Sequence, residues 1–197
     1  MRRRALALGA LLLASQVGAS AQDAIVCPPG TTPGGASSER GREQWCERPG
    51  PPKISHGPYV MYYPNGAVQV RGERRDGAPS GDWKSWHPSG AQSGEVTFVD
   101  GKPTGMLLGW YANGQASFVG GFRDGTAIGV MEIFDPEGRM RSAVDYGPDG
   151  KEKSRRAWDD GNRAIDPKSP EAHAVETRAV QSSLLIYMAL TASSVVR

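Results

Sequence analysis

The sequence has few of the residues that build reactive or metal-binding centres. It contains two cysteines and three histidines, and the histidines His56, His87 and His173 are scattered along the chain. An enzyme usually shows a nucleophile with its base, paired carboxylates in a shared pocket or a metal cluster. None of these patterns is recognisable, so we expect a non-enzymatic chain without metal ion or cofactor.

The sequence also lacks an excess of one charge. Its formal net charge is +2, and it would be −1 without the three arginines at residues 2–4. The basic character therefore belongs to the N-terminal segment. We expect no nucleic-acid partner, because such proteins carry a basic patch or stripe.

Residues 1–21 are typical of a secretory signal peptide. Three arginines at residues 2–4 precede an apolar stretch at residues 5–14, and small residues lead to a cleavage site after Ala21. The apolar stretch is shorter than the roughly 20 residues that span a bilayer. No cysteine lies at the cleavage point, which disfavours a lipid anchor. We expect an exported protein, periplasmic or extracellular, that begins at Gln22.

Residues 22–55 form a segment rich in Pro, Gly and Ser that holds both cysteines. Export would place Cys27 and Cys46 in an oxidising compartment, where pairing as a disulfide is expected. Closing a loop of this size stabilises a chain by about 3 kcal/mol. A metal site that includes His56 and His87 has no matching ligand spacing.

Glycine and proline are abundant, and the glycines reveal an internal repeat. Opening glycines recur every 24 residues, at Gly57, Gly81, Gly105 and Gly129. A second glycine follows nine residues later in each copy, and an Asp-Gly pair follows the second strand. These turn signals are Gly66, Gly90, Gly114, Gly138, Asp76, Asp100, Asp124 and Asp149. Residues 56–152 are therefore predicted as four copies of strand, turn, strand, turn.

Two columns of large side chains mark the first strand of each copy. The first column is Tyr59, Trp83, Leu107 and Met131, and the second is Tyr62, Trp86, Trp110 and Phe134. The second strands alternate between apolar and polar residues, which predicts one buried and one wet face. Columns three residues apart would lie on opposite faces. Either both faces are partly covered, or a bulge re-aims one column.

The predicted fold is mainly β, because a single hairpin is marginal in water and stacked hairpins cover one another. We expect an elongated, twisted antiparallel sheet of about eight strands with a C-terminal α-helix. Residues 153–168 are predicted as a linker or an extra strand. Residues 169–197 are predicted as the helix, from about Pro170 to Ala192, because Ser169 supplies a cap and Pro170 the first helical position.

The later part of this helix, from Leu184 to Leu190, is apolar on nearly every side. It is too short to span a membrane, and an exposed apolar run of this kind is unfavourable in water. We expect it to dock on the sheet, on a partner or on a membrane surface. Few basic residues lie nearby, which makes the membrane surface the less favoured site.

The stretch from Phe118 to Gly129, FVGGFRDGTAIG, resembles the aromatic-x-Gly-x-aromatic-x-x-Gly-x-x-x-Gly core of MORN repeats. With its aromatic-Pro-Asn-Gly hairpin, the set is similar to the bacterial MORN-variant proteins often described as antitoxin-like. The resemblance covers residues 56–152 and implies a hairpin-repeat fold, with scaffolding or, in some members, lipid binding. Val96 and Val144 stand where the third copy has Gly120.

These features together predict an exported, non-enzymatic repeat scaffold. Its sheet would bind an unidentified protein, a glycan or another envelope component. The alternative is a membrane-surface or lipid-associated module that uses Leu184–Leu190. An antitoxin-like role fits export less well, because such partners meet in the cytoplasm. The periodic aspartates fit Asp-Gly turns better than calcium sites, which need several oxygen ligands in each loop.

Overall fold

The computed structural model describes residues 25–38 and 41–182, which form twelve β-strands and one α-helix. The elements are β1 (Thr32–Ser38), β2 (Gly41–Arg48), β3 (Ile54–Tyr62), β4 (Val68–Arg75), β5 (Ala78–Trp86), β6 (Gln92–Val99), β7 (Lys102–Trp110), β8 (Ala116–Arg123), β9 (Thr126–Phe134), β10 (Met140–Tyr146), β11 (Glu152–Trp158), β12 (Ala164–Ile165) and α1 (Pro170–Gln181).

All twelve strands belong to one open antiparallel sheet, in which each strand pairs with its neighbours in sequence. The prediction of a mainly β fold with a C-terminal helix is confirmed. The prediction of about eight strands is wrong, because β3 to β10 are flanked by two further strands at each end. An unpaired sheet edge leaves backbone N–H and C=O groups free, and the flanking segments satisfy them.

The Pro/Gly-rich segment forms β1 and β2, although it contains few apolar residues that would predict strands. Cys27 and Cys46 lie at disulfide distance, with their Cα atoms 5.5 Å apart. Cys46 is buried in β2, so the pair ties the chain before β1 to the sheet. Trp45 packs against the main core cluster. Gly34 of β1 fits closely against its indole ring, and a Cβ at this position would collide with the ring.

The strands β11 and β12 form a fifth hairpin. Asp159 and Arg163 follow Asp135 and Arg139 by 24 residues. In both turns the aspartate backbone N–H donates to the arginine carbonyl, at 3.0 and 2.9 Å, and the arginine Nε donates to the aspartate carboxylate at 2.8 Å. Asn162 occupies the place of a glycine with φ of 59°, which asparagine tolerates better than most residues.

The Asp-Gly pairs close two-residue hairpins in three of the four repeats. Asp76, Asp100 and Asp124 have φ of 51°, 48° and 49°, and the glycine after each also has positive φ. Two successive positive φ values define the type I′ turn, whose twist suits a hairpin. Asp149 lies in another kind of turn, where its carboxylate accepts the Lys151 backbone N–H at 3.2 Å.

A one-residue bulge lies in each second strand and leaves the alternation of the two columns in the first strand unchanged. In β7 and β8, Gly109 pairs with Phe118 and Trp110 pairs with Ala116, which leaves Ser117 unpaired. The bulged residues of the four repeats are Gln69, Ser93, Ser117 and Arg141. Between the two columns, the first strand keeps its regular alternation. The two columns therefore point to opposite faces of the sheet.

The core lies on the face that carries the first column, which we call the helix face because α1 packs there. Tyr59, Trp83, Leu107 and Met131 are all buried, in one cluster with Val175 and Ala179 of α1. The ring of Trp83 lies 5.5 Å from that of Tyr59 and 6.0 Å from that of Phe98. The contact with Tyr59 joins the first repeat to the second, and the contact with Phe98 lies within the second hairpin. Large aromatic side chains of this kind contribute strongly to core stability.

The helix α1 begins as predicted, with the Ser169 side chain accepting the Ala172 backbone N–H at 3.2 Å. It packs against β8, β9 and β10. None of the helices within the described residues is long and apolar enough to cross a membrane. The leader with Ala21 and the run Leu184–Leu190 both lie outside the described residues.

The buried Gly72 tests the packing of this core. A Cβ at this position would collide with the indole ring of Trp83. We expect Gly72→Ala to lower the free energy of unfolding by about 1–3 kcal/mol, because overpacking a dense core forces strain. Urea denaturation followed by tryptophan fluorescence measures the change.

Gly161→Ala is the matched control, because its Cβ would meet only turn side chains, the nearest being the Asp159 carboxylate at 3.3 Å. We expect this variant to unfold close to the parent. Equal stability of the two variants would show that Gly72 does not limit packing against Trp83.

Candidate interaction surface

The second column lies on the face opposite α1, which we call the open face. Trp86, Trp110 and Phe134 are half-buried there, and Trp158 of β11 continues the series 24 residues after Phe134. Successive rings belong to alternate strands, about 10 Å apart. These four residues form an aromatic row across the open face.

Tyr62 begins the same column but is covered by β2. The guanidinium of Arg42 lies 4.6 Å from the centre of its ring, and its hydroxyl donates to the Gln44 side chain at 3.2 Å. Cation–π contact and hydrogen bonding both stabilise this closed arrangement. Tyr62 therefore belongs to the end of the sheet, and the accessible aromatic row starts at Trp86.

An apolar patch adjoins the aromatic row on β7 and β9. Met106 and Val130 occupy equivalent positions of the third and fourth repeats, with 53% and 46% of their surfaces exposed. Their strand partners, Gly121 and Asp145, leave both side chains on the open face. We call Met106, Leu108, Trp110, Val119 and Val130 the open-face patch.

The second repeat presents polar side chains at the corresponding place. The Thr97 hydroxyl donates to the Asp82 carboxylate at 2.6 Å, and Lys84 lies 3.9 Å from Glu95. Asp82 stands 24 residues before Met106. The open face therefore changes from polar over β5 and β6 to largely apolar over β7 and β8, with Glu132 of β9 paired to Val119 at its border. The repeat pattern alone does not reveal that change.

A ladder of side-chain hydrogen bonds joins successive repeats on the helix face. Tyr63 donates to the carbonyl of Trp86 at 2.9 Å, and Tyr111 donates to that of Phe134 at 2.8 Å. His87 takes the same place in the second repeat, with Nε2 2.8 Å from the Trp110 carbonyl. Burial raises the pKa of both tyrosine hydroxyls, so they stay protonated donors at neutral pH.

The fourth repeat breaks this ladder, because Asp135 has no side-chain proton to donate at neutral pH. Arg141, the bulged residue, donates instead to the Trp158 carbonyl at 2.9 Å and to the Asp135 carboxylate at 3.2 Å. Asp135 and Arg141 are only 2% and 5% exposed. Arg141 also lies 3.2 Å from Glu171 of α1. The Asp135–Arg141 pair that ends the ladder is therefore also in contact with the helix.

A second charged contact fixes the helix to the end of the sheet. Glu176 accepts hydrogen bonds from Ser142 at 2.8 Å and from Arg155 at 2.7 Å. Ion pairs that are partly shielded from water keep more of their strength than exposed pairs. The register of α1 on the helix face is thus set by polar contacts as well as by the burial of its alanine and valine side chains.

The histidine and aspartate residues singled out in the sequence lie in different turns, strands and the helix. His56 lies 3.2 Å from Asp76, which also pairs with Arg48, and His87 belongs to the ladder. Within residues 25–38 and 41–182, no three His, Cys, Asp or Glu side chains come close enough to hold a metal ion. The periodic aspartates lie in separate turns.

Several residues of this surface were not predicted from the sequence. Trp158 follows Phe134 by the repeat length, so its place in the aromatic row was detectable. Met106 and Val130 also recur at that spacing, but each is followed directly by a residue of the first column, and spacing does not tell which of the two is buried. The structure buries the first column as core and leaves the patch beside it exposed. No spacing signal marks the partnership of Arg141 with Asp135.

Comparison with known proteins gives no relative from which a role of this surface could be inferred. No family model and no curated protein matches the chain. Its interpretation therefore rests on the geometry of the two sheet faces.

The buried carboxylate of Asp135 predicts a loss of stability in acid. Burial alone would raise its pKa, but hydrogen bonds from the Arg139 backbone and side chain and from Arg141 outweigh it, and the pKa falls below the usual 3.8. A carboxyl with a lowered folded-state pKa stabilises the fold above its unfolded-state pKa. That contribution is lost as pH falls from about 4 through the folded-state value.

We expect Asp135→Asn to be less stable than the parent at pH 7, with the difference shrinking towards pH 2.5. Denaturation midpoints across this range measure the effect. Asp124→Asn makes the same chemical change in an exposed turn and serves as the control. A difference between parent and Asp135→Asn that stays constant over the whole range contradicts the assignment.

Proposed function

We propose that this protein is an exported, non-enzymatic repeat scaffold that binds a protein partner in the cell envelope or medium through the open face. The observation that carries the proposal is the open-face patch. The helix α1 packs on the other face, and Met106 and Val130 stay about half exposed beside the half-buried Trp110. Clustered exposed apolar side chains commonly mark interaction sites.

The composition of the open face supports a protein as the partner. Aromatic and methionine side chains are enriched in the centres of protein interfaces, and charged residues surround them. Here the patch is bordered by Glu95, the strand partner of Leu108, on one side and by Glu132, the strand partner of Val119, on the other. A rigid sheet loses little conformational freedom on binding, which favours affinity.

The absence of enzymatic activity is proposed from the way polar side chains are engaged. On the open face, Thr97 and Asp82 pair with each other. On the helix face, His87 binds a backbone carbonyl. Each of these contacts stabilises the sheet, and neither positions a base beside a nucleophile as catalysis would need.

Export is proposed from the leader features of residues 1–21 and is compatible with the cysteine pair. Cys27 and Cys46 lie at disulfide distance, and disulfides persist mainly in oxidising compartments. The resemblance of Phe118–Gly129 to MORN repeats also agrees with a scaffold role.

Single substitutions in the open-face patch test the proposal. Proteins captured from the envelope and medium of the source organism by the bead-bound mature chain are compared with those captured by Met106→Asp and by Val130→Asp. We expect a specific partner to bind each variant at least about tenfold more weakly, because a charge at the centre of an apolar contact must be desolvated.

Val26→Asp is the matched control, since Val26 is 84% exposed and lies near the other end of the sheet. It should capture the partner as the parent does. Isothermal titration with the purified partner then supplies the affinities. A partner that binds the parent and both patch variants equally would place the interaction elsewhere and contradict the proposal.

The alternative function is a membrane-surface module that uses the apolar run Leu184–Leu190. Liposome flotation of the mature chain, with and without residues 184–197, distinguishes it from the scaffold. The scaffold predicts equal recovery of both chains with the lipid fraction. Recovery that depends on the C-terminal residues would favour the membrane-surface module, because binding strength scales with buried apolar area.

A further inference from the structure

A groove lies on the helix face beyond the end of α1. It has a volume of about 470 Å³ and is bounded by Tyr63 and Gln69 of the first repeat, Ser85 and Ser93 of the second, and Val180 and Ser182 at the end of the helix. We propose that this groove, named here the C-terminal groove, is the docking site of the chain's own residues 183–197.

The course of α1 points the chain towards the groove. Near its start, Glu171 contacts Arg141 of β10 at 3.2 Å. At its end, the Ser182 hydroxyl lies 2.9 Å from that of Ser117 in β8. The helix thus crosses the strands along the bulged column. The next two members of that column, Ser93 and Gln69, line the groove.

The remaining chain is long enough to fill it. From β8 to β6 is two strand spacings, about 10 Å, and from β8 to β4 is about 20 Å. Residues 183–197 follow Ser182. At 1.5 Å per residue, the shortest rise of the common conformations, they would span about 22 Å. The segment therefore reaches the far wall of the groove at Tyr63 and Gln69.

The groove and the segment match in charge. No Asp, Glu, Lys or Arg is among the described residues that line the groove, and residues 183–196 are uncharged. The two buried hydroxyls in the groove, Ser85 and Ser93, lie 2.7 Å apart and bond to each other. A charged ligand would find no counter-charge there, whereas apolar side chains lose little by entering.

The residues that face the sheet continue in sequence. Ala172, Val175 and Ala179 are the buried positions of α1, at the spacing of one helical face. Carried forward, this spacing falls on Ser183, Ile186 and Leu190. Beyond the polar Ser183, the two following positions of this spacing, Ile186 and Leu190, are therefore apolar.

Tethering favours this occupant over a second molecule. The segment leaves α1 at the rim of the groove, and a short tether gives an effective concentration in the millimolar range. At low micromolar protein, the segment of the same chain should displace that of another. The inference concerns the helix face and stands independently of partner binding on the open face.

Site-specific photocrosslinking tests the proposal on the mature full-length chain. The photoreactive amino acid p-benzoylphenylalanine replaces Gln69 in the groove, or Arg71 as a control. Arg71 lies in the same strand, β4, and is exposed on the open face. After irradiation at low micromolar protein, monomers and dimers are separated, digested and mapped by mass spectrometry.

We expect the probe at position 69 to form crosslinks to residues 183–197 within the monomer, and the probe at position 71 to form none to that segment. Crosslinks confined to the dimer would assign the groove to a second copy and overturn the proposal. Absence of crosslinks between position 69 and the segment would overturn it as well.

A second pair of variants separates specific docking from chance proximity. Ile186→Asp should lower the crosslink yield from position 69 about tenfold, because burying an unpaired carboxylate is costly. Leu185→Asp, one residue away and off the sheet-facing spacing, should leave the yield near that of the parent. Equal yields from both variants would contradict docking through this face.

Discussion

Burial of one large side chain per repeat is the interaction on which the rest of the structure depends. Tyr59, Trp83, Leu107 and Met131 are all buried in one core cluster on the helix face, and the rings of Tyr59 and Trp83 are in contact across neighbouring hairpins. A lone hairpin could not exclude water from such a residue. The close fit of Gly72 against Trp83 shows that small residues of the second strands make room for this column. The sheet is thereby held together through units that would be marginal alone.

The bulge in each second strand contributes to the chemical difference between the two faces of the sheet. One extra residue turns Gln69, Ser93, Ser117 and Arg141 towards the helix face, where two of them bind α1. Regular alternation in the later part of each first strand meanwhile places the aromatic row on the open face. A bulge is a common way to re-aim side chains in a paired strand. The result is one face closed by core and helix and one face that presents an apolar patch.

Departures from the repeat are as informative as the repeat itself. Asp135 replaces a hydrogen-bond donor of the ladder, and Arg141 replaces a short polar residue of the bulged column. Each change alone would leave a buried charge without a partner, which is costly. Together they form a hydrogen-bonded pair that also reaches Glu171 of α1. The fourth repeat therefore serves as the junction between the sheet and the helix, and the described strands continue beyond it as a fifth hairpin.

Local chemistry in the sequence determined the hairpins, their 24-residue spacing, the turns at glycine and Asp-Gly, and the start of α1 at Ser169, because each depends on nearby residues. The mainly β class and the pairing of the cysteines followed from the same kind of signal. Tertiary structure decided the rest. The strands β1 and β2 form through backbone pairing to an existing edge, which needs no apolar pattern. Regular alternation separated the two columns, but which face would be buried depended on where α1 and the neighbouring strands pack, and a bulge in each second strand decided which of its side chains face the helix. Which apolar side chains form the open-face patch was decided by burial of the first column in the core.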